Sequence, residues 1–224
     1  KFANSAIFSP ISEIKDLRQA MTFMGAINLK NLIISLSLVS LYNKNIDFIF
    51  QKIWEHSVAV SIFARLVALL KKPDIASEVF TLGMMHDVGQ IIFRISFPEY
   101  EEFVEVAFNN DLPLTEVERN FIGFDHAELG GYTMKVWKMP KVFTESIYFH
   151  HKPLIANDSF YASVLAYSNM MVKEFSQGID RRIDTEILRV TREMLSITDN
   201  QEKDLKISFS EIFSNEREIF KVGG

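Results

Sequence analysis

The sequence predicts an all-α protein built as a multi-helix bundle. Apolar residues recur at three- and four-residue spacing nearly everywhere, and no convincing run alternates with period two. Apolar types make up 48% of the 224 residues, 20 of them Phe, which is ample for a core and rules out general disorder. The six Pro fall between the periodic segments, where they start or stop helices.

In chain order, Ser9 and Pro10 suit an N-cap and first position for a helix over about 10–24, which Gly25 ends. A second helix is expected over 29–42. A third, over about 46–70, places Ile49, Ile53, His56, Val60, Phe63, Val67 and Leu70 on one inner stripe. Pro73 and Asp74 open a helix over about 75–87 that continues irregularly to 95. Pro98 begins the next, which ends near 109–110. After Pro113, the run Thr115-Glu116-Val117-Glu118 reads as a capping box, with Thr115 accepting from the Glu118 amide. Helices over 126–137, 142–150 and 159–175 follow, separated by Pro140 and Pro153. Residues 179–224 are more charged, with helices near 185–195 and 202–220. The expected organisation is one helical domain over 1–178, with 179–224 as a charged helical extension packed on it or following it. Gly83, Gly130 and Gly131 interrupt helical patterns at about 1 kcal/mol each, so close helix approach is expected there. Trp54 and Trp137 read as core anchors.

Composition narrows the chemistry. Lys and Arg number 24 against 29 Asp and Glu, a net charge of −5, so bulk electrostatic binding to nucleic acid or to an anionic membrane is not expected. Lys135, Lys138 and Lys141 read as a solvated face. No stretch reaches the roughly 18 uninterrupted apolar residues that cross a bilayer, so membrane insertion is not expected either. The chain begins at Lys1 and reads as a piece of a longer product. With no Cys, this sequence offers no disulfide, thiolate zinc site or thiol nucleophile, and it suits a reducing cytoplasm.

Five His are then the strong nitrogen ligands available. His56 lies on the inner stripe of its helix, His86 and Asp87 are adjacent at a helix end, His126 opens a helix behind the candidate N-cap Asp125, and His150-His151 closes another. Each alone has an ordinary explanation as a hydrogen-bonded core or helix-end residue. Together they suggest a shared centre. Imidazole and carboxylate suit divalent Fe, Mn, Zn, Co or Ni, and an Asp with its oxygens facing different ways can bridge two ions.

These residues, in this order, resemble the HDOD domain, the HD-related output domain of bacterial signalling proteins. The resemblance rests on Phe2-Ala3-Asn4-Ser5-Ala6, on Ile14…Gln19-Ala20…Met24-Gly25, on Trp54-Glu55-His56-Ser57 and on Leu82-Gly83-Met84-Met85-His86-Asp87-Val88-Gly89. It continues through Gly123-Phe124-Asp125-His126-Ala127-Glu128-Leu129-Gly130, Trp137-Lys138-Met139-Pro140 and His150-His151-Lys152-Pro153. It covers about residues 1–175 and implies an HD-domain-like bundle. The superfamily's metal phosphohydrolases would then supply the ligand set His56, His86, Asp87, His126, His150 and His151, with Asn169 where a further Asp is usual. Asn169 brings no negative charge. Gln90 stands where the cyclic-dinucleotide phosphodiesterases carry Lys, and the Gly-Tyr-Pro that follows their paired His is absent. The resemblance therefore implies a non-catalytic signal-transduction output domain acting through signalling-protein partners, with a vestigial divalent metal site. The main alternative it leaves is a divergent metal-dependent phosphohydrolase using Asp87 and His126, and a further one is a purely structural metal site or ligand sensor.

Overall fold

The computed structural model describes residues 48–157, 159–175 and 178–216. The helices expected over 10–24 and 29–42 lie outside the described residues. Those described form ten α-helices, two single-turn 3-10 helices and no strand. They are α1 Phe48–Lys71, a 3-10 turn Pro73–Ile75, α2 Ala76–Met85, α3 Val88–Ser96, α4 Tyr100–Asn109 and α5 Leu114–Ile122. There follow α6 His126–Val136, α7 Lys141–Tyr148, a second 3-10 turn Pro153–Ile155, α8 Ser159–Lys173, α9 Thr185–Met194 and α10 Asp199–Glu216.

Helix α1 is the axis of the bundle, packed by α2, α8 and α10. Its expected stripe is buried from Ile49 to Val67, but Leu70 is exposed because the helix has by then left the core. By length and composition α1 could cross a bilayer, yet 72% of its most apolar window is buried inside the protein. That burial accounts for its apolar character. Gly83 explains how closely α2 approaches it: a Cβ there would lie 2.4 Å from the Ser61 Cα. On α6, Gly131 admits Tyr148 of α7 in the same way, at 2.6 Å.

Two local expectations are corrected. The helix expected to run irregularly from 75 to 95 is two helices, broken at His86 and Asp87, which form a turn. The Thr115 capping box does not form. Pro113, at φ −59° and ψ 131°, starts α5 at Leu114 without a side-chain cap. Thr115 is therefore already inside the first turn, and Glu118 points into the core. The reciprocal box sits instead at α6: Asp125 accepts from the Glu128 amide at 2.9 Å, and Glu128 accepts from the Asp125 amide at 3.0 Å. Trp54 is buried, whereas Trp137 is only half-buried against the core edge.

Two apolar clusters result. The larger joins α1, α2, α7 and α8, and the charged C-terminal stretch adds Leu195, Ile197, Leu205 and Phe209 to it. The smaller joins α3, α4 and α5 through Phe93, Tyr100, Val104 and Leu114. The histidines gather between them.

Candidate metal centre

Asp87 stands at the middle of the site because the break between α2 and α3 exposes its side chain inward. Its two oxygens face different imidazoles. Oδ2 lies 3.1 Å from His86 Nε2 and 3.9 Å from His56 Nε2; Oδ1 lies 3.5 Å from His126 Nε2 and 3.8 Å from His150 Nε2. His56 comes from α1, His126 from the start of α6, and His150 and His151 from the turn that follows α7. Potential ligand atoms fall into two groups, each within 4.8 Å: His56, His86 and Asp87, and His126, His150 and His151. All are buried except His151, which is half-buried. Asn169, on α8, joins the first group through a 2.9 Å hydrogen bond between its Oδ1 and His56 Nε2. The structure thus brings together every residue singled out from the sequence for this centre.

Backbone carbonyls aim the inner imidazoles. His86 Nδ1 donates to the Gly83 carbonyl at 2.8 Å, and His150 Nδ1 to the Ile147 carbonyl at 2.6 Å. These tautomers follow from the bonding network and leave each Nε2 lone pair directed inward. His150 Nε2 and Asp87 Oδ1 are buried without a hydrogen-bond partner, while His86 Nε2 faces Asp87 Oδ2. Buried polar atoms are rarely left so, and these are the atoms a cation would satisfy. The donor set therefore fits a divalent metal: nitrogen and carboxylate oxygen, convergent, with the rings of His86 and His150 held by backbone carbonyls. Such an ion would supply Lewis acidity and charge to the centre.

Sequence reasoning missed Glu118 in this role. It is wholly buried on α5 and accepts from His126 Nδ1 at 2.6 Å, from the His126 amide at 2.9 Å and from the Tyr100 hydroxyl at 2.5 Å. Its local pattern suggested a cap, and no spacing rule links it to His126. Burial alone would lower the His126 imidazolium, but the Glu118 carboxylate overrides this, with help from Asp87 and Asp125, and pushes it up to about 9. His126 Nε2 lies 2.9 Å from His151 Nε2, whose pKa burial and the imidazoles of His150 and His126 hold well below the usual value. Burial brings His56 down to about 4, against the pull of Asp87. Burial would raise Asp87, but His86, His126 and His56 together hold it well below the carboxylate range.

Gln90 is buried on α3 beside Asp87, with Oε1 unbonded. Lys173, one turn after Asn169 on α8, was also unforeseen; it reaches the mouth of the centre and pairs with Asp180 at 2.7 Å.

Fold and site together define a helical bundle with a buried His/Asp metal-type centre. A sequence profile described as the HDOD domain matches residues 1–153, more than half of the chain, and the protein belongs to the HDOD family. Solved structures share the fold. An HDOD domain protein of unknown function from Geobacter sulfurreducens is 20% identical, with a TM-score of 0.72 over 98% of this chain and 78% of that one. A protein of Shewanella amazonensis SB2B, named as a candidate phosphohydrolase, is 21% identical, with a TM-score of 0.67 over 89% and 74%. The MmoQ response regulator of Methylococcus capsulatus is 21% identical, with a TM-score of 0.59 over 91% and 81%. No curated protein matches the chain.

Proposed function

We propose that this chain is a non-catalytic output domain of a bacterial cytoplasmic signalling protein, whose His/Asp centre binds a divalent metal (Fe, Mn, Zn or Ni) and whose helical surface acts on protein partners. The observation that carries the reading is the closure of the centre. The space beside Asp87, among His56, Gln90, His151 and Asn169, is about 10 Å³, enough for about one water, and the larger cavity of about 160 Å³ next to it reaches His151 but not Asp87, so a phosphoester has no place at the carboxylate in this arrangement. Charge supports the same reading. Asp87 is the carboxylate set among the inward-facing imidazole nitrogens, Glu118 being taken up on the far side of His126, and Asn169 and Gln90 beside it are neutral, so two divalent ions and a developing phosphoryl charge would be poorly balanced. Relatives of this fold include a response regulator, which agrees with a signalling role.

Metal analysis of the native protein, with a phosphodiesterase assay in added Mn or Fe, tests this. Bound metal without turnover is the expected result. Turnover abolished by Asp87→Ala would establish the hydrolase instead, and a chain that takes up no metal would remove the metal part of the proposal.

A further inference from the structure

Residues 178–184, ahead of α9, lie over the His56 half of the centre. Their path is fixed by few groups. Lys173 Nζ, with only 3% of its side chain exposed, donates to Asp180 Oδ2 at 2.7 Å and to the Arg182 carbonyl at 2.8 Å. Asp180 Oδ1 in turn accepts from the Arg182 amide at 3.2 Å, which curls the segment around the ammonium group. Gly178 rests against the His56 ring, so closely that a Cβ would lie 3.3 Å from Cγ and Nδ1. Ile179 is the segment's apolar anchor, packed against both clusters. Farther on, Asp184 caps α9 by accepting from the Glu186 and Ile187 amides.

The small cavity at the centre is lined by Ile53, His56, Asp87, Gln90 and Asn169, with Lys173, Ile179, Asp180 and the half-buried His151 completing it. Beside His151, its cover is one ion pair and one isoleucine. Arg181 and Arg182 beside them are exposed. A short backbone segment held this way opens far more readily than the bundle unfolds.

We infer that residues 178–184 form a latch over the His56 half of the centre, locked by the Lys173–Asp180 pair. Release of the pair lifts Gly178 from the His56 ring and opens that half to solvent. His126 and His150, fully buried behind α6 and α7, stay shut. Where the centre holds a metal, as proposed above, latch opening sets how fast the ion on the His56 side exchanges, without changing its ligands.

The test uses the metal-free full chain, so it does not depend on the metal reading. Diethyl pyrocarbonate acylates accessible imidazole, and mass spectrometry resolves the five His separately. Asp180→Asn and Lys173→Met both preserve side-chain size; the first removes the charge of the pair and the second the pair itself. Each is expected to label His56 at least about tenfold faster than the parent, with His86 and His150 keeping the parent rate. His56 rates unchanged in both variants would overturn the latch. So would equal acceleration at all five positions, which signals general loosening. Metal content measured on the same proteins keeps the two readings apart: a parent chain that cannot be loaded refutes the metal proposal, while the His56 rates still decide the latch.

Discussion

Gly89 offers a sharp test of how the two halves of the centre are held together. It lies two residues after Asp87, in the first turn of α3, against the start of α6. A Cβ at this position would fall 2.0 Å from the His126 carbonyl oxygen, 2.8 Å from its carbonyl carbon and 2.9 Å from its Cα. All three are backbone atoms, so no rotamer can yield, and the helix starts must separate by about 1 Å to restore ordinary contact. In an unhindered helix Gly89→Ala would stabilise by about 1 kcal/mol. Overpacking of this kind costs about 1–3 kcal/mol and more where backbone blocks relaxation. The expected net loss is about 2–3 kcal/mol, or about 5–10 °C in melting temperature for a chain of this size. Urea unfolding followed by circular dichroism measures it, with metal content read on the same samples, because the shift also moves His126 away from Asp87. Gly123→Ala is the control: φ is +101° but nothing lies within 4 Å, so it carries only backbone strain of about 1 kcal/mol. Equal or greater stability in Gly89→Ala would refute the reasoning.

Three further expectations follow from the same geometry. Glu118→Gln keeps shape but removes the anionic partner of His126, and metal affinity should fall about 10–100-fold in a chelator competition; unchanged affinity would show that Glu118 is purely structural. Asn169→Asp adds a carboxylate oxygen beside His56 and should tighten metal binding about tenfold by calorimetry, since ligand charge tunes cation affinity. Asp125→Ala removes the cap of α6 and the 2.7 Å ion pair to Arg119, and should lower stability by about 1 kcal/mol in thermal melts.

Much of the architecture is legible in the sequence because helices of this kind announce themselves by period and punctuation. The Pro residues at 73, 113, 140 and 153 mark real boundaries, and Asp125 is the N-cap it reads as. The histidines are legible for a different reason: imidazole is scarce in apolar stripes, so each instance stands out, and the order of motifs supplies their grouping. Glu118 was hidden because its partner, the His126 ring, is reached across a helix turn and a loop, where no periodicity applies. The Lys173–Asp180 pair was hidden because it depends on the path of an irregular segment. The break at His86-Asp87 was only half visible, since apolar spacing continues through it while the backbone does not.

That break has a mechanical consequence. Asp87 belongs to the joint between two helices, and its oxygens look toward imidazoles rooted in different parts of the bundle: α1 on one side, α6 and the end of α7 on the other. A change of a single ångström along one of these directions would alter the separation by about a quarter or more. The carboxylate therefore works as a vernier among these helices, and the spacing across it registers, at one point in the interior, how they are aligned.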